Sequence, residues 1–200
     1  MSYVIETITY KGHTIRIEPD EDAENPREEF DNVGTILYTS THYTLGDKQV
    51  DRDEITAIAN DPDNIVLPVY AYIHSGIRLS TGPFSCPWDS GQCGIIYCTK
   101  ARAVKEWGAE TAIEDAKRYL EGEIETFNSY LSGNVVGYTI TGPLGDDSCW
   151  GFYPDEKGGY EDAISEAKRA INYARKAEAT RLKEERLNNR LAREQHLALL

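Results

Sequence analysis

"NIVLPVYAYIHSGIRLS", residues 64–80, is two apolar runs joined by Ser75-Gly76, a turn pair that reads as the tip of a β-hairpin. Alternation along the first run puts Tyr70, Tyr72 and His74 on one face and Val69, Ala71 and Ile73 on the other. Pro68, which has no N–H to give a ladder, places that part of the run at an edge or a strand start. The same grammar recurs at residues 4–17. There Lys11-Gly12 joins "VIETITY" to "HTIRI", and the register puts Ile8 and Tyr10 on one face with His13, Ile15 and Ile17. "NVVGYTIT" and "SCWGFY", separated by "GPLGDD", give a third pair. Strands joined by short turns pair antiparallel.

Between the hairpins the period changes. "GTILYTSTHY" predicts a further strand and "DRDEITAIAN" a short helix capped by Asp51 or Asp53. "CGIIYCT" predicts a strand ending at Thr99, which caps the helix "KARAVKEW" closed by Gly108. Over 110–131, Ile113, Ala116, Leu120, Ile124, Phe127 and Leu131 recur at helical spacing, so this helix lies on one face of a sheet. From about Tyr160 onward there is no Gly or Pro, and Ala, Glu, Arg and Lys dominate. The expected fold is α+β: an antiparallel sheet of five or more strands built from hairpins, helices on one face, and a long C-terminal helix. The expected boundary separates an acidic domain, 1–158, from a helical extension, 159–200. In that extension Ile164, Ala167, Ile171 and Ala174 form a stripe that docks, and the rest is exposed or serves self-association through 161–200.

With 200 residues, 40% hydrophobic and 10% aromatic, the chain can bury a real core. No run reaches the ~20 apolar residues of a bilayer span, and "MSYVIETITYKGH" lacks the pattern of a signal peptide. The expectation is therefore a cytoplasmic protein with no membrane partner. A net charge of −13 argues against direct nucleic-acid binding, because phosphate needs Lys and Arg. Residues 1–160 carry 12 Lys and Arg against 27 Asp and Glu, whereas residues 161–200 carry 9 against 7. Such a body suits a partner protein with a basic surface, including one that ordinarily holds nucleic acid.

"HSGIRLSTGPFSCPWDSGQCGIIYC", residues 74–98, concentrates the candidates for chemistry. Cys86, Cys93 and Cys98 stand six and four residues apart, which matches none of the close pairs of structural zinc sites. On a continuous strand Cys93 and Cys98 also point to opposite faces. No metal and no cofactor is expected. Cys86 is the candidate nucleophile, with His42 or His74 as base and Asp89 to orient the imidazole. The competing reading is an ordered structural loop over 83–94, with Cys86, Trp88 and Asp89 partly buried and Trp88 its anchor. No complete catalytic motif and no phosphate-cradling glycine loop is present. The acids expected at an interface are Asp20, Glu21, Asp22, Glu24, Glu28 and Glu29, the densest run on an expected surface loop.

The strings "NPREEFDNVGT" (25–35), "YTLGDK" (43–48), "PFSCPWDSGQCG" (83–94) and "DSCWGFY" (147–153) resemble a family of small acidic proteins of tailed bacteriophages and other mobile elements. The resemblance spans most of the body and not the C-terminal helix. It implies a virus-encoded accessory protein working in the cytoplasm of an infected bacterium, and it carries over no catalytic residue. Small acidic phage proteins without enzyme signatures are frequently inhibitors that cover a basic groove as DNA mimics do. The functional expectation is an inhibitor of a CRISPR, restriction or similar nucleic-acid-handling defence system. Its alternatives are a thiol-dependent hydrolase or transferase using Cys86 and a structural phage accessory protein.

Overall fold

The computed structural model describes residues 3–86, 88–154 and 157–198, with side chains as far as 194. The fold is α+β, and it divides into two compact units. One comprises residues 1–21 and 135–200, the other 22–134. This differs from the boundary expected at 158/159. Strand pairing accounts for the difference, because the first hairpin pairs with the last strands of the chain and everything between them closes on itself.

The first unit is a four-stranded antiparallel sheet in the order β1 (Glu6–Tyr10), β2 (His13–Pro19), β8 (Val136–Thr141), β9 (Asp147–Phe152). Lys11 (φ 49°) and Gly12 (φ 80°) both take positive φ, as the two-residue turn between twisted strands requires. The expected register holds: Ile8 faces Ile15, and Tyr10 faces His13. His13 is buried, and its Nδ1 donates to the Lys11 carbonyl at 3.1 Å. Ile15, Ile17, Val136, Tyr138 and Ile140 present one apolar face. Helix α5 (Glu161–Ala198) lays Ala163, Ile164, Ala167 and Ile171 onto it. Ile164, Ala167 and Ile171 dock as the stripe predicts, whereas Ala174, expected with them, is half-buried and outside that core, and Leu182, Leu187 and Leu191 are exposed.

The second unit holds α1 (Pro26–Glu29), β3 (Thr35–Tyr38), β4 (Lys48–Gln49), α2 (Arg52–Asn60), β5 (Asn64–Ile73), β6 (Ile77–Ser80), β7 (Ser90–Thr99), α3 (Lys100–Trp107) and α4 (Ala112–Leu131). Its sheet runs β4-β3-β7-β5-β6, antiparallel except for the short parallel pair β3/β4. Asp51 and Thr99 cap α2 and α3 as expected, accepting from Glu54 N and Arg102 N. Helix α4 buries Ala112, Ala116, Leu120, Ile124 and Phe127 against Ile36, Val69, Ala71, Leu79 and Ile96. Ile113, expected on that stripe, faces solvent because the inward face begins one residue earlier, at Ala112. Pro68 sits within β5 at a point that β6, whose pairing starts opposite Tyr70, does not reach. Its missing N–H therefore interrupts no ladder on that side.

Candidate functional site

The second unit contains two groups of interacting polar residues on very different footings, one closed and one open. The closed group is centred on Arg27. Asn25 caps α1 by accepting from Arg27 N at 3.0 Å, and Pro26 supplies the fixed φ of the first helical position. This aims the Arg27 side chain inward, where it is 4% exposed. Its guanidinium donates to both Asp47 oxygens (2.9 and 2.7 Å), to Glu123 Oε2 (2.7 Å), to Asn32 Oδ1 (2.9 Å) and to the Gly34 carbonyl (2.8 Å). Asp47 also accepts from Ile36 N, and Glu123 from Val33 N and Gly34 N. Burial works against the charge on Arg27, and the bonds from Asp47 and Glu123 outweigh it, so its pKa is raised. All five donors of the fork are used, so the cluster is a structural clasp, closed to a ligand. Most of "NPREEFDNVGT" and the Asp of "YTLGDK" are spent on it.

The expected acidic loop is therefore partly a helix. Asp20 accepts from Gly151 N at 3.0 Å inside the first unit, and Glu28 accepts from Asn25 Nδ2 at 2.8 Å in the second. Glu21, Asp22, Glu24, Glu28 and Glu29 are exposed. The run is thus divided between the two units.

The open group is the connection from β5 through β6 to β7. The Ile73 N–H donates to the Asp89 carbonyl at 2.9 Å, His74 N–H to Gly76 O at 3.1 Å, and Ser90 Oγ to the Cys86 carbonyl. Phe84 packs on Tyr72 with ring centroids 5.7 Å apart. These hydrogen bonds fasten the segment at both ends. Pro87 lies outside the described residues. Cys86 is partly buried, as expected, but Asp89 is exposed and Trp88 is 92% exposed. The loop is anchored instead by Phe84 on Tyr72 and by backbone bonds to β5, which leaves the indole outside the core.

Of the candidate catalytic residues, Cys86, Asp89 and His74 come together. Asp89 Oδ2 stands 3.5 Å from His74 Nδ1 and 3.9 Å from Cys86 Sγ. The carboxylate thus lies next to the thiol, and the imidazole lies beyond it. A nucleophilic triad needs the imidazole between the two. His42 is exposed in the connection between β3 and β4, where its N–H donates to Ser40 Oγ.

Cys93 and Cys98 do not keep to opposite faces. A bulge lets Val69 and Tyr70 face Gly94 and Gln92 and leaves Cys93 unpaired, which resets the alternation, and both thiols touch the same core. Burial pushes the Cys93 thiol up to about 11 and raises that of Cys98, so neither is a ready thiolate at neutral pH. Among the described residues no three His, Cys, Asp or Glu converge as a metal site. No helix among them is long and apolar enough to cross a membrane. No family model, curated protein or solved structure matches the chain.

Proposed function

We propose that the chain is a virus-encoded inhibitor that binds a host protein, a nuclease or other nucleic-acid-handling component of a CRISPR, restriction or similar defence system, in the cytoplasm of an infected bacterium. It acts by covering a basic surface and not by catalysis. The observation that carries this reading is Trp88, 92% exposed on a loop fastened at both ends. A tryptophan has few rotatable bonds to immobilise on binding, and it is among the side chains that most often dominate interface energy. The net charge of −13, with Glu21, Asp22, Glu24, Glu28 and Glu29 exposed, speeds encounter with a basic partner and makes binding fall with salt.

The test is a low-salt pull-down from host lysate followed by binding to the recovered complex. The expected result is capture of a nucleic-acid-handling complex, weakened at least about tenfold by Trp88→Ala and lost when the five exposed acids are reversed to Lys. Unchanged binding by both variants overturns the reading.

The approach of Cys86, Asp89 and His74 favours a second reading, a thiol hydrolase or transferase. It requires His74 to displace Asp89 at Sγ. A Cys86 that reacts with a thiol reagent far faster than Cys149, with turnover abolished by Cys86→Ser, would establish it. Equal reactivity of the two thiols would end it.

A further inference from the structure

On the side opposite its docked seam, helix α5 carries an exposed stripe whose apolar members are Tyr173, Ala177, Leu187 and Leu191, with Thr180 and Glu184 between them. At about 100° per residue, Tyr173, Thr180, Leu187 and Leu191 stand roughly 160–200° around the helix from buried Ile171. Tyr173 is 78%, Leu187 55% and Leu191 46% exposed. Most charges of the distal half are sorted about this stripe, with Glu184 on its edge at roughly 220° and Glu194 at roughly 140°. Lys176, Lys183, Arg186, Arg190 and Arg193 fall at roughly 40–140°, along one flank. Glu178 and Glu185 fall at roughly 320–340°, close to the line of the docked seam, and hold Arg181 there by ion pairs of 2.8 and 3.8 Å. Arg190 pairs with Glu194 at 2.8 Å.

We propose that residues 173–191 are a docking helix for an acidic amphipathic helix supplied by another protein. The stripe has heptad spacing, with Tyr173, Thr180 and Leu187 at one seam position and Ala177, Glu184 and Leu191 at the other. Lys176, Lys183 and Arg190 then occupy a single flank of the seam. Charge excludes a second copy of this helix as the occupant. Antiparallel pairing sets that basic flank against itself. Parallel pairing sets Lys176 against Arg181 and Lys183 against Asn188, with no acid opposite either lysine. Duplex nucleic acid would satisfy the basic flank and leave the leucines in water. A bilayer surface demands a broader apolar face than two leucines and a tyrosine. An acidic helix with an apolar seam meets both the stripe and the flank.

The experiment uses the full chain and a synthetic amphipathic helix with Leu at both seam positions and Glu on both flanks, titrated by fluorescence anisotropy. Binding is expected, salt-sensitive, and weakened about tenfold or more by Leu187→Glu with Leu191→Glu, while a Lys-flanked peptide does not bind. Reversing Lys176, Lys183 and Arg190 to Glu is expected to switch the preference to the Lys-flanked peptide, with helix content unchanged by circular dichroism. Four outcomes would each overturn the proposal: equal binding of the two peptides; competition by duplex DNA; competition by anionic vesicles; or a dimer in sedimentation that Leu187→Glu abolishes. The acids and Trp88 are untouched by these variants, so the two proposals fail separately.

Discussion

Arg27 carries one positive charge into a nearly closed space and meets two carboxylates there, Asp47 and Glu123, which also collect backbone N–H groups. Removing the guanidinium leaves both carboxylates facing each other, so Arg27→Met is expected to cost about 3–5 kcal/mol in urea unfolding. The loss should concern stability of the 22–134 unit and leave the 1–21/135–200 unit's transition in place. Cys93 gives a pH signature. Its folded pKa of about 11 lies above its ordinary 9.0, so between these values the unfolded chain has released the proton that the folded chain still holds. The contribution is fully present below pH 9 and is lost as pH rises towards 11. The melting temperature should fall through that window, and Cys93→Ala should flatten the fall. From the sequence, a lone Arg in an acidic run reads as one more solvated charge. The signal that it is not lies in Asn25-Pro26 before it, a cap and first position that start a helix and turn the next side chain inward. Trp88 misled in the opposite sense. A tryptophan reads as a core anchor, but here Phe84 packs on Tyr72 and Trp88 stands 92% exposed.

At the scale of elements, hairpins and capped helices were legible because their signals are local. Lys11-Gly12, Ser75-Gly76, Asp51 and Thr99 each act within a few residues. The bulge at Cys93 was not, because nothing within β7 alone says that Val69 and Tyr70 of another strand will skip a residue. Gly94 beside it marks the β3 crossing. A Cβ there would stand 1.9 Å from the Leu37 carbonyl oxygen. Gly94→Ala should therefore force β3 and β7 apart and destabilise the 22–134 unit by about 3 kcal/mol, measurable by thermal melting. Helix α5 behaves in the reverse way over its length. Ending the chain after Arg175 keeps Ala163, Ile164, Ala167 and Ile171 on their sheet. The 1–21/135–200 unit should then keep its unfolding free energy within about 0.5 kcal/mol, since residues 176–194 are exposed apart from half-buried Glu178.

The whole molecule is where sequence reading reached least far. A single sheet of five or more strands was expected, and two sheets of four and five form instead, because the partner of β2 is β8. Periodicity reports which face of a strand is apolar and says nothing of which strand lies beside it. Each unit has its own core, the one around Ile15, Tyr138 and Ala167 and the other around Ile36, Ile96 and Leu120. Residues 22–134 alone should accordingly unfold cooperatively, and a version joining Glu21 to Val135 through a short Gly-Ser link should keep the four-stranded sheet. Loss of cooperative melting in both would refute the division. The ladder Pro19–Val136, continued by the Asp20 N–H to the Val135 carbonyl, also sets a timetable. During synthesis the β1–β2 hairpin emerges first, and over a hundred residues must follow before β8 can reach it. At ribosomal speed that is roughly ten seconds in which the open edge of β2, with Ile15 and Ile17 on its inner face, waits for its neighbour. A sister chain on the same message could supply a β2 edge in that interval. The wait ends with the correct strand only when Pro19 meets Val136 and Asp20 bonds Val135, so early closure of residues 22–134 would favour it.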